Sequence, residues 1–156
     1  IILKVMKIKA KRIYLDVCTL CRPFDEQNYL RIHIETEAVK LILSKLKEGV
    51  YKLLVSPVHI KEIEANSDIF ERIKIRTILD KLGELIIANR IQAQKRAEEL
   101  VELGFGIADA AHIAFAEQNA THFISCDDLL IKKCLQYKIN VWCGNPIVFC
   151  DMEGLK

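Results

Sequence analysis

Short apolar runs alternate with longer amphipathic stretches along this chain. Four of the short runs are rich in β-branched and aromatic residues, which predicts β-strands. They are residues 13–17 (IYLDV), 51–56 (YKLLVS), 121–126 (THFISC) and 140–143 (NVWC). Apolar residues at helical spacing fill most of the intervals between them. Strands that alternate with helices over short connections favour a parallel sheet covered by helices on both faces.

Capping and punctuation residues indicate where the helices begin and end. Asp25 is a plausible N-cap for a long helix whose apolar positions keep helical spacing up to Gly49. Pro57 suits the first turn of a helix that carries Glu62. Further helices are predicted at 107–120 and 128–137. The segment of about 68–103 contains two helical stretches, which together indicate a helical hairpin inserted between strands.

Length and composition agree with one folded unit. A chain of 156 residues fits a single domain and buries about two thirds of its unfolded surface. The hydrophobic fraction of 51% beside 28% charged residues argues against disorder. We therefore predict one α/β domain over residues 1–156, with the hairpin insertion at about 68–103. Its core is a central parallel sheet of roughly four to five strands in a three-layer α/β/α arrangement.

Charge and apolar run length exclude some classes of protein. A net charge of +2 provides no overall basic field for nucleic acid, so local Lys, Arg or metal would have to hold a polyanion. The apolar runs fall far short of the roughly 20 residues that span a bilayer, so no membrane role is expected. The first residues, IILKVMKIKAKR, make a poor signal peptide. Met6 is then a candidate natural start, with residues 1–5 as an upstream extension.

The chain has six cysteines and no recognisable secretory signal, which predicts reduced thiols in a cytoplasmic protein. Cys18 and Cys21 form a CxxC motif. A redox function would place this motif in a thioredoxin-like order of elements, and a zinc site would need a second Cys or His pair. Neither partner is evident in the sequence. We expect structural thiols, with redox chemistry or zinc binding as the alternative.

Four acidic residues are the candidate chemistry: Asp16, Glu62, Asp109 and Asp127. Each lies at the end of a predicted strand or in the first turns of a helix that follows. The carboxyl ends of parallel strands open onto a common crevice, which would bring these side chains together. Gathered carboxylates repel one another, so such a cluster implies either protonation or a hard divalent cation, Mg²⁺ or Mn²⁺.

The order and local sequence of these acids resemble one known family. Asp16 ends IYLD, Glu62 follows Ser56 in SPVHIKE, Asp109 lies in ADAAHIAFA, and Asp127 follows Ser125 with one residue between them. Together these contexts resemble the PIN-domain family of metal-dependent ribonucleases, which includes the virulence-associated protein C toxins. The resemblance covers nearly the whole chain. Cys126 departs from the Asn that the family often has, and Asp128 leaves a second acid beside Asp127.

The resemblance implies a function for each of these residues. The four acids would be the catalytic metal ligands or metal-positioning groups, and Ser125 would support the site. The implied activity is endonucleolytic hydrolysis of single-stranded or looped RNA at a Mg²⁺ or Mn²⁺ centre, leaving a 5′-phosphate and a 3′-hydroxyl. The family also implies a homodimer and, for a toxin of a toxin-antitoxin pair, a cognate antitoxin protein as partner.

Two other functions compete with this hypothesis. One is a catalytically idle PIN scaffold that binds RNA or a partner protein. The other is a phosphotransferase of haloacid dehalogenase type, which also begins with a strand-end Asp but needs a second Asp where this chain has Cys18. Retention of all four acids argues against the idle scaffold.

Nearby histidine and arginine residues leave roles open. His112, three residues after Asp109, would either touch the metal or serve as a packing or supporting residue. Arg22 and Arg31 would either hold phosphate or form salt bridges with acids such as Asp25 and Glu35.

Overall fold

A computed structural model describes residues 10–156, and this part of the chain folds around a single sheet of five parallel strands. The strands are β1 (Lys11–Leu15), β2 (Tyr51–Val55), β3 (Gly83–Leu85), β4 (His122–Ile124) and β5 (Trp142–Gly144). Their order across the sheet is β3-β2-β1-β4-β5, and each neighbouring pair runs parallel. The predicted α/β fold with a central parallel sheet between helical layers is confirmed.

Helices connect the strands in chain order. They are α1 (Val17–Cys21), α2 (Leu30–Lys47), α3 (Pro57–Glu64), α4 (Ile69–Leu82), α5 (Arg90–Glu102), α6 (Ile107–Asn119), α7 (Asp128–Gln136) and α8 (Pro146–Glu153). A short 3-10 turn, Arg22–Phe24, follows α1. None of the helices within residues 10–156 has the length and apolar character needed to span a lipid bilayer. The candidate start at Met6 lies outside the described residues.

The strand pattern explains the two cores of the molecule. Successive side chains of a strand point to opposite faces, so Ile13 and Leu15 of β1 face one layer and Tyr14 faces the other. The first layer includes α2 and α8, and its core contains Ile42 of α2 and Phe149 of α8. The second layer is built by α5, α6 and α7, and Tyr14 is fully buried there. β1 is thus covered on both faces.

The strand order fixes the position of a crevice. From β1 the chain moves to β2 and β3 on one side of the sheet, whereas β4 and β5 lie on the other side of β1. The boundary between β1 and β4 is therefore the point at which the strand order reverses, and open parallel sheets form a crevice at the carboxyl ends of the strands there. Asp16 follows β1 and Ser125 follows β4, so both residues lie at this position.

The predicted helical hairpin at about 68–103 requires correction. Its two helices exist as α4 and α5, but β3 lies between them and pairs with β2 at the edge of the sheet. α5 packs mainly against α6, and α4 packs against α3 and β2. Gly83 makes the direct passage from α4 into β3 possible, because a Cβ at this position would lie 2.3 Å from Val55 Cγ2. The segment is one more helix-strand-helix unit of the sheet.

One more prediction about helices differs from the structure, and one helix has no counterpart among the predictions. Asp25 does not cap α2, which begins at Leu30 with Tyr29 as its N-cap. Asp25 instead ends the 3-10 turn and accepts a hydrogen bond from Arg22 Nη1 at 3.0 Å. The C-terminal helix α8 was not predicted, although Asn145 caps it through a side-chain hydrogen bond to Val148 N at 2.8 Å. An Asn-Pro pair is a helix start signal of the kind that could have revealed it.

Candidate functional site

Asp16 lies directly after β1 and is buried, with only 4% of its surface exposed. It is the N-cap of α1, where its Oδ1 accepts hydrogen bonds from Thr19 N at 3.1 Å and Thr19 Oγ1 at 2.5 Å. Its second oxygen, Oδ2, accepts a hydrogen bond from Ser125 Oγ at 2.6 Å. A buried carboxylate is costly unless its oxygens are satisfied, and these donors both satisfy Asp16 and fix its orientation.

Asp127 is positioned from the neighbouring strand. Ser125, fully buried at the end of β4, accepts a hydrogen bond from Asp127 N at 3.0 Å. Asp127 then caps α7 by accepting a hydrogen bond from Leu130 N on its Oδ1 at 3.1 Å. The adjacent Asp128 is exposed and accepts a hydrogen bond from Arg31 Nη2 at 2.5 Å. Ser125 therefore links the two acids that end β1 and β4.

Asp109 shows that the acids come together. It lies in the first turn of α6 and is partly buried. Burial raises the pKa of Asp109 above its ordinary value, and the negative charges of Asp16 and Asp127 raise it further. Glu62 also raises this pKa, whereas His112 lowers it. The other three predicted acids are thus near enough for their charges to act on Asp109.

Glu62 belongs to α3, which packs against α6. Its side chain is 34% exposed, and its Oε1 accepts a short hydrogen bond from His112 Nε2 on α6. His112 is itself buried. The sequence left open whether this histidine contacts a metal or supports the site, and the structure places it against Glu62.

A buried hydrogen-bonded network extends behind His112. Tyr14 Oη lies 2.5 Å from His112 Nδ1 and 2.7 Å from Ser56 Oγ. His59 Nδ1 accepts a hydrogen bond from Ser56 N at 3.0 Å. Tyr14 and His59 were missed in the sequence. The spacing of Tyr14 and Asp16 places both on the same side of an extended chain, but it gives no sign that the Tyr14 hydroxyl group contacts His112.

The arginines near the site form ion pairs with scaffold carboxylates. Glu35 is fully buried, and its Oε1 lies 3.3 Å from Arg22 Nη2 and 3.6 Å from Arg31 Nε. Arg22 also pairs with Asp25 at 3.0 Å, and Arg31 pairs with Asp128. Of the two roles left open for these arginines, the structure shows the salt-bridged scaffold.

The CxxC motif lies beside Asp16, and its two cysteines form neither a disulfide nor part of a metal-binding group within residues 10–156. Cys18 and Cys21 are free thiols on α1, and Cys18 Sγ donates a hydrogen bond to Asp16 Oδ1 at 3.3 Å. Burial raises the pKa of both thiols well above the ordinary value. A thiol with a raised pKa is a weak nucleophile at neutral pH, which is unfavourable for redox catalysis.

The donor set suits a hard divalent cation in its chemistry. Carboxylate oxygens are the ligands that Mg²⁺ and Mn²⁺ prefer, and a cation would relieve the repulsion felt at Asp109. As the side chains are placed in residues 10–156, no three His, Cys, Asp or Glu groups stand together closely enough to hold a metal ion. Asp16, Asp127 and Glu62 are instead engaged in hydrogen bonds within the protein. The described residues thus supply suitable donor atoms without a formed metal site.

An apolar groove of about 540 Å³ adjoins the site between α3 and α6. Glu62 lines both the groove and the site, and Lys61 adds a positive charge to the lining. The remaining lining is aliphatic or small and includes Pro57, Val58 and the largely exposed Ile107. A flat apolar group next to a charged group bound at the acids would find a contact surface here.

Comparison with known proteins adds no family assignment. No protein-family model matches the chain, and no curated protein matches it significantly. The resemblance noted in the sequence therefore rests on the four acids and their local contexts.

Proposed function

We propose that this chain is a Mg²⁺- or Mn²⁺-dependent endoribonuclease of the PIN-domain type, with Asp16, Glu62, Asp109 and Asp127 as its carboxylate site. The observation that carries the proposal is the link through Ser125 that holds Asp16 and Asp127 together at the ends of β1 and β4, with Asp109 near enough for both charges to raise its pKa. Like charges gathered in a partly buried crevice repel one another, and a bound cation would relieve that repulsion. The crevice at the reversal of strand order is also where parallel sheets bind ligands.

The residues of the chain have distinct tasks in this proposal. When bound, a divalent cation supplies the activation of water and the polarisation of a phosphoryl oxygen for phosphodiester hydrolysis. Asp16, Asp109, Asp127 and Glu62 would hold the cation, each from a different element. Ser125 keeps Asp16 in a fixed orientation through its 2.6 Å hydrogen bond and accepts the Asp127 N–H. No side chain is required to act as a covalent nucleophile.

The charge and the groove beside the site favour single-stranded RNA as the substrate. The net charge of +2 gives no broad basic surface, so affinity would come from the cation and from local contacts. The groove beside Glu62 offers an apolar surface for one base, and Lys61 offers a charge for a neighbouring phosphate. Bases that are unstacked can enter such a groove, whereas bases of a duplex cannot.

The test is cleavage of end-labelled single-stranded RNAs in Mn²⁺ by the wild type and by Asp109→Asn. We expect cleavage by the wild type, no cleavage in EDTA, and a loss of at least about 100-fold in the variant, the scale on which removal of an electrostatic catalytic group acts. Asp151→Asn is the matched control, because Asp151 is an exposed acid on α8. The same end of α8 lies at the amino end of β1, where Glu153 pairs with Lys11, whereas the candidate site lies at the carboxyl end.

Two results would refute the proposed activity. One is equal cleavage by the wild type and Asp109→Asn, which would identify a contaminating nuclease. The other is the absence of cleavage by the wild type across RNAs of differing sequence and structure, in either Mg²⁺ or Mn²⁺.

The second candidate function is a scaffold that binds RNA or a partner protein without catalysis. The observation that favours it is that no three candidate ligands within residues 10–156 are already arranged to hold an ion. Calorimetric titration with Mn²⁺ separates the two functions. A scaffold would show no Mn²⁺ binding that depends on Asp109, whereas the nuclease requires it.

We further propose a reducing, cytoplasmic setting and a protein partner. All six cysteines are free, which supports a reducing compartment. Large apolar side chains are exposed on the segment from α4 to α5, including Phe70, Leu85, Ile87 and Ile91, and they support a homodimer. Light scattering of the purified chain tests the dimer. Growth arrest on expression, relieved by a cognate antitoxin, tests the assignment as a toxin.

A further inference from the structure

Glu62 is held by a hydrogen bond from a histidine that is buried from solvent. His112 is 2% exposed, and its Nε2 donates the hydrogen bond that Glu62 Oε1 accepts. A carboxylate has no hydrogen to donate when it is ionised, so the hydrogen of this bond lies on Nε2. Glu62 itself is partly exposed on a helix and has several rotatable bonds, so its position depends on such a contact.

The other ring nitrogen of His112 is also occupied. Nδ1 lies 2.5 Å from Tyr14 Oη, and Tyr14 Oη lies 2.7 Å from Ser56 Oγ. Tyr14 is fully buried, and its hydroxyl group lies within hydrogen-bonding distance of Nδ1 and can donate its hydrogen to it. Ser56 Oγ accepts a hydrogen bond from Val58 N at 3.2 Å and also lies 3.3 Å from His59 Nδ1, so the serine hydroxyl group connects Tyr14 with His59.

The network ends on the backbone of the central strand. His59 Nδ1 accepts the Ser56 N–H, and His59 Nε2 donates to the carbonyl oxygen of Leu15 at 2.6 Å. Burial, with the neighbouring His112, lowers the pKa of His59 to about 3, so this ring is neutral at physiological pH. The network thus joins Glu62 on α3, His112 on α6 and the end of β1 through buried side chains.

We propose that His112 is a positioning residue, held by Tyr14 and Ser56, that fixes the Glu62 carboxylate for cation binding. The inference rests on the proposed function, because it assigns the purpose of Glu62 to the cation. It also excludes His112 as a ligand, since neither ring nitrogen has a free lone pair directed at the crevice. Residues that orient a metal-binding carboxylate in this way are typically worth 10- to 100-fold in affinity or activity.

The primary test measures Mn²⁺ affinity by calorimetric titration of the full chain, without reference to activity. We expect His112→Ala to weaken Mn²⁺ binding by about 10-fold or more. His112→Gln should recover part of this loss, because the glutamine amide places an N–H donor close to the position of Nε2. His122→Gln is the matched control. His122 is likewise buried, but it packs against Trp142 and Phe149 at the start of β4 and should leave Mn²⁺ affinity unchanged.

A double-variant cycle separates positioning from a general loss of structure. If His112 acts through Glu62, then His112→Ala should add no further loss of Mn²⁺ affinity in a Glu62→Ala background. The same weakening in both backgrounds would refute the proposal. Tyr14→Phe provides a second variant that keeps the buried ring, and we expect it to weaken Mn²⁺ binding by a smaller factor than His112→Ala. It decides the matter if His112→Ala does not fold, as judged by circular dichroism.

The failures of the two proposals are distinguishable. Absence of Mn²⁺ binding by the wild type would overturn the proposed function and the inference with it. Mn²⁺ binding by the wild type with unchanged affinity in His112→Ala or, for an unfolded His112→Ala, in Tyr14→Phe would overturn the inference alone. A split in the cleavage kinetics provides an independent check, since a positioning residue should change the Mn²⁺ concentration for half-maximal rate more than the RNA KM.

Discussion

Ser125 Oγ donates a 2.6 Å hydrogen bond to Asp16 Oδ2, and so joins the ends of two adjacent strands that are 109 residues apart in sequence. The same hydroxyl oxygen accepts the N–H of Asp127 at 3.0 Å. One buried side chain therefore sets the relative position of two acids. Asp16 and Asp127 are connected through Ser125 before any ligand is considered.

The first prediction concerns this serine. Ser125→Ala leaves Asp16 Oδ2 and Asp127 N without their shared partner, so we expect the free energy of unfolding to fall by about 1–3 kcal/mol. We also expect Mn²⁺ affinity to fall by about 10-fold. Ser125→Thr retains the hydroxyl and should preserve most of both quantities. Urea unfolding and calorimetric titration measure them. Equal Mn²⁺ affinity in Ser125→Ala and the wild type would contradict the prediction.

The second prediction concerns the repulsion at Asp109. In EDTA at pH 7, Asp109→Asn removes one of the mutually repelling charges, so we expect a gain of about 1 kcal/mol and a rise in Tm of about 2–4 °C. Saturating Mn²⁺ should raise the Tm of the wild type and leave that of the variant nearly unchanged. Thermal unfolding followed by circular dichroism tests both effects. A lower Tm for the variant in EDTA would show that Asp109 stabilises the fold.

The third prediction is a dependence of stability on pH that arises from His59. Its pKa is lowered to about 3 by burial and by His112, whereas an unfolded histidine has a pKa of about 6.5. Between about pH 6.5 and pH 3, His59 therefore binds a proton in the unfolded state but not in the folded state. The free energy of unfolding should fall as pH decreases through this window, with a slope from this group of up to about 1.4 kcal/mol per pH unit.

His59→Gln should remove this contribution. We expect the variant to be less stable than the wild type at pH 7, because the hydrogen bond from Ser56 N is lost, and to lose less stability between pH 6 and 4. His33→Gln, at an exposed position on α2, is the control and should keep the slope of the wild type. Urea unfolding at each pH gives the slopes. Parallel curves for His59→Gln and the wild type would disprove the assignment.

The fourth prediction concerns the edge of the sheet. An added Cβ at Gly83 would lie 2.3 Å from Val55 Cγ2 and 2.5 Å from the backbone oxygen of Leu79, and a backbone atom cannot rotate away. We expect Gly83→Ala to lower the free energy of unfolding by about 1–3 kcal/mol, the usual cost of overpacking. Glu84→Ala on the same strand, where the side chain is exposed, should change it by less than about 0.5 kcal/mol. Comparable effects of the two substitutions would contradict the steric argument.

The parallel sheet could be predicted because it follows from local signals. β1 and β2 concentrate apolar residues as strands do, and Asp16 directly follows the first of them. β3 could not be predicted in the same way. It has three residues, and two of them are exposed, so it carries almost no hydrophobic pattern. Its formation depends on pairing with β2, which is a tertiary interaction.

The support of the site was the least predictable part. His112 could be recognised as a neighbour of Asp109, but its partner Glu62 lies 50 residues away in sequence. Tyr14 lies in an apolar strand and has the pattern of an ordinary core residue. Only the packing of α6 near β1 brings its hydroxyl group to His112. Buried hydrogen bonds between distant elements leave no periodic trace in the sequence, so contacts of this kind require a structure.

The pairing of β1 with β4 has a consequence for synthesis of the protein. Asp16, Glu62 and Asp109 are all translated before β4, yet β4 supplies the strand that lies beside β1 at the crevice. Ser125 and Asp127 follow only after that strand. A nascent chain released from the ribosome tunnel up to α6 thus carries three of the acids without the element that aligns them. The crevice can therefore form only after β4 has been synthesised and has paired with β1.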